Sequence, residues 1–105
     1  MESRDKDYVG SDLKFLIDVT STGFDKERDE FEVTVSRGQR EKTFHKDELV
    51  VDEHGDYYLC FSTNDFGPGL YRLTVTTHVP DDDFDDGIRD EVTQLELVQV
   101  KMPKK

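Results

Sequence analysis

The sequence predicts an all-β sandwich of about seven short antiparallel strands, and three observations predict it. Alternating apolar and polar residues recur in short runs at near-regular spacing. The clearest places Tyr71, Leu73, Val75, Thr77 and Val79 on one face and Arg72, Thr74, Thr76 and His78 on the other, the period-two pattern of a strand with one buried and one wetted face. Glycine, proline and aspartate clusters separate the runs and turn the chain. No segment carries a convincing helical pattern. A partly open barrel is the competing closure.

Taken in order, residues 1–11 are polar and are expected to be loose. Leu13, Phe15, Ile17 and Val19 alternate with Lys14, Leu16, Asp18 and Thr20 as a first strand, and the charged stretch Ser21 to Glu30 follows with Phe24 as its apolar anchor. Phe31, Val33 and Val35 mark a second strand. Arg37-Gly38-Gln39-Arg40 reads as a tight turn into a short third strand around Lys42 to His45. Leu49-Val50-Val51 and Tyr57 to Ser62 pair across a loop in which Gly55 is free to take positive φ. Thr63 to Gly69 holds Gly67, Pro68 and Gly69 and is excluded from strand interior. The Leu70 to Val79 strand leads through an aspartate-rich connection to a last strand, Val92 to Val100. There the alternation slips, because Leu95 and Leu97 share one parity and Val98 and Val100 the other. A β-bulge or burial on both faces accounts for such a slip. The expected organisation is one domain over 12–100 with a flexible basic tail at 101–105.

Composition bounds the function. A chain of 105 residues buries about two thirds of its unfolded surface, enough for one core. Hydrophobic content of 33% against 37% charged resembles a disordered chain, but the apolar residues are gathered into the alternating runs, so a fold is expected. The net charge of −11 repels nucleic-acid phosphates and anionic membranes alike. Basic protein surfaces and divalent cations remain as partners, and the charge also favours solubility. Cys60 is the single cysteine, so no intramolecular disulfide forms. The N-terminal residues lack the apolar core of a secretory signal, and no apolar run approaches the ~20 residues that span a bilayer. A cytoplasmic or virion-associated protein is expected.

Two groups of residues are candidates for a site. The first is the block Pro80-Asp-Asp-Asp-Phe-Asp-Asp-Gly87, in which Asp81, Asp83, Asp85 and Glu91 are candidate oxygen ligands for calcium. Counted from Asp81 as an EF-hand loop, the required glycine position holds Asp86 and the twelfth position holds Val92. The favoured reading is therefore a solvated loop with Phe84 tucked into the sandwich, and no cofactor. The second group is aromatic: Tyr57 and Tyr58, then Phe66, are candidate recognition anchors, since tyrosine combines apolar area with a polar tip. Cys60 is read as a small core residue, and neither its spacing nor that of His45, His54 and His78 forms a catalytic or zinc signature. No glycine-rich phosphate loop precedes a helix. An enzyme is not expected.

The segment GPGLYRLTVT, Gly67 to Thr76, resembles the G-x-Y-x-L-x-V strand of immunoglobulin-like sandwich modules. That resemblance implies an immunoglobulin-like sandwich in which Tyr71 and the following aliphatics pack between the sheets. The longer pattern over roughly residues 13–100, LKFLIDVTSTGFD through VTTHVPDDDFDDGIRDEV, resembles small acidic proteins carried by phages and prophages of gut bacteria. It implies a virion-structural or protein-interaction role, with a protein partner or self-assembly, and supplies no catalytic residues.

Overall fold

The computed structural model describes residues 10–102 and the backbone of Asp7–Tyr8. Eight strands form: β1 (Asp7–Tyr8), β2 (Asp12–Leu16), β3 (Phe31–Arg37), β4 (Arg40–His45), β5 (Val50–Val51), β6 (Tyr57–Ser62), β7 (Gly69–Pro80) and β8 (Ile88–Lys101). Two 3-10 turns, Lys46–Glu48 and Thr63–Asp65, complete the regular structure among the described residues. One sheet has the order β1-β8-β7-β3-β4 and the other β2-β6-β5. All pairings are antiparallel except that of β1, whose two residues run parallel to Val100–Lys101 of β8.

This is the predicted all-β sandwich, and its strand order is that of an immunoglobulin-like domain. β7, β8, β3 and β4 form the sheet that such domains build from strands F, G, C and C′, and β2, β6 and β5 form the opposing B-E-D sheet. The seven expected strands are β2 to β8. The additional β1 falls inside the segment expected to be loose. Just after it, the Gly10 N–H donates to Thr63 Oγ1 at 2.8 Å, and Ser11 O accepts from both the backbone N–H and the hydroxyl of Thr63. Residues 1–6, Val9 and 103–105 lie outside the described residues, as does most of each expected loose end.

The core follows from the alternation. Val33 pairs with Val75 on one side and Phe44 on the other, and Val35 with Leu73; all five are buried. From the opposing sheet, Phe61 places its ring within 5.9–6.3 Å of those of Phe15, Phe44, Phe66 and Tyr71. Burying an aliphatic or aromatic side chain of this size stabilises the fold by about 1.5–3 kcal/mol, and such contacts replace a disulfide here. In disulfide-bonded immunoglobulin domains the second cysteine follows the strand-F tyrosine by two residues; in this chain that position is Leu73.

Tyr71 packs between the sheets, as the resemblance implies, and its hydroxyl also closes a corner. Its ring is buried and its hydroxyl donates to Gly67 O at 2.5 Å and Thr63 O at 3.2 Å, so β7 is pinned to the turn preceding it. Gly69 is required next to this corner. Its φ is +138°, and a Cβ there would lie 2.9 Å from Cδ of Arg37, whose Nε donates to Phe66 O.

The last strand is longer than the alternation suggested, starting at Ile88, and of the two readings offered for it the β-bulge is present. Val75 pairs with Gln94 and Thr76 with Val92, so Thr93 is an extra, bulged residue. Beyond the bulge, Val98 and Val100 are buried while Leu95 and Leu97 are more than half exposed. The strand is not buried on both faces.

Candidate functional site at the β7–β8 hairpin and its outer face

The connection between β7 and β8 is shaped by its own polar groups. Asp81 N–H donates to Gly87 O, Phe84 N–H to Asp81 O and Gly87 N–H to Phe84 O. The side chains of Asp81 and Asp86 accept from the N–H of Asp83 and Ile88 respectively, two residues on; this is the local bonding that suits aspartate to turns. These bonds close the loop on itself and hold its apex away from the sandwich. Phe84 is therefore 47% exposed, not tucked into the core.

Arg89 gathers two of the four residues expected as calcium ligands. Its guanidinium donates to Asp81, to Glu91 Oε2 at 3.0 Å and to Thr22 O at 2.9 Å, and Ser21 Oγ donates to Glu91. The backbone N–H of Asp83, then Arg89, holds the Asp81 carboxyl below its usual pKa. For Glu91 the same is done by Ser21 and then Arg89. Asp83 and Asp85 stand apart in the exposed apex. Among the described residues, no group of three or more His, Cys, Asp or Glu side chains is placed to hold a metal ion. The position between Asp81 and Glu91 carries an arginine cation. The pattern Arg89-x-Glu91, read with the hairpin register, was the signal for this pairing.

The aromatic candidates divide. Tyr57 and Phe66 belong to the core: Tyr57 meets Phe31 edge-on at 5.0 Å and Phe66 packs on Phe61 and Tyr71. Neither is an exposed anchor, because β6 turns its odd-numbered residues inward and Phe66 closes the core beneath the Tyr71 corner. Tyr58 faces outward and is half-buried. Its hydroxyl donates to Asp52 Oδ2 at 3.3 Å, its ring lies under Lys14, and its register neighbours are Leu16 and Val50. Cys60 shares that outward parity and is exposed, in contrast to the expected core placement.

The sequence did not single out the outer face of β8. Here Val92 (61% exposed), Leu95 (55%) and Leu97 (53%) project from one strand, with Leu70 (54%) on β7 beside them. Arg72 pairs with Leu97, Thr74 with Leu95 and Thr76 with Val92. Inward-facing Thr93 and Gln94 bond to backbone groups of Leu16 and Asp18, so the segment after β2 lies along the inner side of β8 at the bulge. At the hairpin end of the same outer face, His78 sits between Asp90 and Glu32. The signal was the parity of Leu95 and Leu97, which opposes that of Val98 and Val100 and marks an outward apolar face. No helix among the described residues is long and apolar enough to cross a membrane. The chain matches no protein-family model, no curated protein and no solved structure.

Proposed function

We propose that this immunoglobulin-like chain is a non-enzymatic protein-interaction or structural module that docks a protein partner on the β7–β8 hairpin. The carrying observation is the apolar track of Val92, Leu95, Leu97 and Leu70, all more than half exposed on one sheet face. Contiguous apolar surface of this kind marks docking sites more often than scattered single residues do. The hairpin apex supplies an anchor in exposed Phe84, flanked by Asp82, Asp83, Asp85 and Asp86. Among the described residues these four carboxylates have no cation within ion-pairing distance. Charge complementarity therefore selects a partner with an apolar strip bordered by lysine or arginine. A component of a larger particle with such a surface fits this reading.

The test compares capture by the immobilised wild-type chain with capture by a Leu95→Ser/Leu97→Ser variant and by Phe84→Ser. These positions are exposed, so thermal unfolding should match wild type within a few degrees. Support is a basic protein that is retained by wild type, weakened by salt, and lost from the folded variants. Equal retention on all three, or none on wild type, removes the reading.

A further inference from the structure

The ring of His78 is held between two carboxylates on the outer face of the larger sheet. Nδ1 lies 2.7 Å from Oδ1 of Asp90 on β8, and Nε2 lies 3.1 Å from Oε1 of Glu32 on β3. An ionised carboxylate only accepts hydrogen bonds, and a neutral imidazole has one N–H to give. Both contacts are hydrogen bonds at once when the ring carries two protons. The surrounding charges agree. β3 contributes Glu32, and Glu30 just before it contributes the carbonyl that accepts the His78 backbone N–H at 3.0 Å. β8 contributes Asp90. β4 places His45 opposite Glu32, on the far side from His78. No Lys or Arg among the described residues pairs with either carboxylate.

The geometry points to a proton-operated clamp, in which the His78 imidazolium ties β8 and β3 to β7 at the bulge end of the hairpin and releases one arm when it loses a proton. With a single N–H left, one carboxylate faces a bare lone pair. Asp90, whose side chain is 64% exposed against 32% for Glu32, is the arm free to turn into solvent. Its departure removes the outer-face tie at the β8 end of the strand pair, two residues from Val92. The bond from Asp90 raises the ring's pKa, partial burial opposes it, and the bond from Glu32 adds to the rise. A raised folded-state pKa gives stabilisation that is fully present below the unfolded value of about 6.5 and is lost as pH rises through the folded value. The clamp is thus closed in mild acid and open in alkali. Loosening the docking hairpin in alkali rests on the surface proposed above; the clamp itself does not.

Ring nitrogen resonances of the intact chain test it. Below its midpoint His78 should show both nitrogens protonated, with a titration midpoint above about 6.5. Glu32→Gln and Asp90→Asn should each lower that midpoint by about 0.5 unit or more. The thermal advantage of wild type over His78→Gln should also shrink as pH rises through the midpoint. A midpoint at or below the ordinary value, or one unmoved by both carboxamide variants, overturns the clamp. If His78 titrates normally while partner capture persists, the clamp alone fails. If capture is lost with the midpoint still raised, the docking surface alone fails.

Discussion

Tyr71 and Arg89 each concentrate several structural ties in one side chain, and each makes a prediction at that scale. Removing the Tyr71 hydroxyl as Tyr71→Phe leaves the carbonyls of Thr63 and Gly67 without this donor in a buried setting. The expected loss is about 1–3 kcal/mol in denaturant unfolding, with little change in the slope. An equally stable Tyr71→Phe variant would show that the corner closes by packing alone. Arg89→Gln leaves Asp81 and Glu91 facing one another without their cation. That variant should unfold at lower temperature than wild type. Excess calcium should leave the wild-type transition in place, because the guanidinium already sits between those carboxylates. A calcium-dependent rise in melting temperature, lost in Asp83→Asn/Asp85→Asn, would reverse that expectation. Tyr71 was legible in sequence because a buried strand face and a preceding glycine turn are local signals. The loss of Tyr57 and Phe66 as anchors was not, since aromatic residues near a turn serve cores and surfaces alike and packing decides between them.

At the scale of the element, β8 shows where sequence patterning succeeds and where it needs the partner strand. The parity difference between Leu95/Leu97 and Val98/Val100 was visible and marks the outer and inner faces of one strand, whereas the bulge lies earlier, with Thr93 inserted opposite the Val75–Thr76 pair. A bulge leaves no compositional mark when the inserted residue is an ordinary strand former, so register with β7 was required to find it. The consequence can be tested with neighbouring residues of opposite fate. Val98→Ala, in the core at 1% exposure, should cost on the order of 2 kcal/mol. Leu97→Ala, on the outer face, should change stability by less than about 0.5 kcal/mol. Equal losses at the two positions would mean that the outer face of β8 is covered in the folded chain, and the docking surface would have to be sought on the Tyr58 face of the smaller sheet.

For the whole molecule, the excess of carboxylates shapes both pH and salt behaviour. Asp29, Asp52, Asp81 and Glu91 all have lowered pKa values. The leading causes are the Arg28 side chain for Asp29, backbone N–H groups for Asp52 and Asp81, and Ser21 for Glu91. Lowered folded-state values give stabilisation that is present above the unfolded values near 4 and lost as pH falls through the folded ones. His78 acts in the opposite sense in alkali. Stability measured against pH should therefore fall away on both sides of a plateau, and His78→Gln should flatten the alkaline decline without moving the acid limb. Association is governed by the same charge. Among the described residues β1 pairs only with Val100 and Lys101, so over those residues most of β8 is the outer strand of its sheet and offers its edge and apolar face for strand addition. Two copies approaching with a net charge of −11 each repel within a screening length of about 10 Å at 0.1 M salt. A symmetric pairing through β8 should accordingly tighten as ionic strength rises, whereas docking of a basic partner should weaken. Sedimentation at low and high salt separates the two. Salt-strengthened dimers abolished by Leu95→Lys would assign the hairpin face to a second copy; a monomer at every salt concentration leaves that face to a protein of opposite charge.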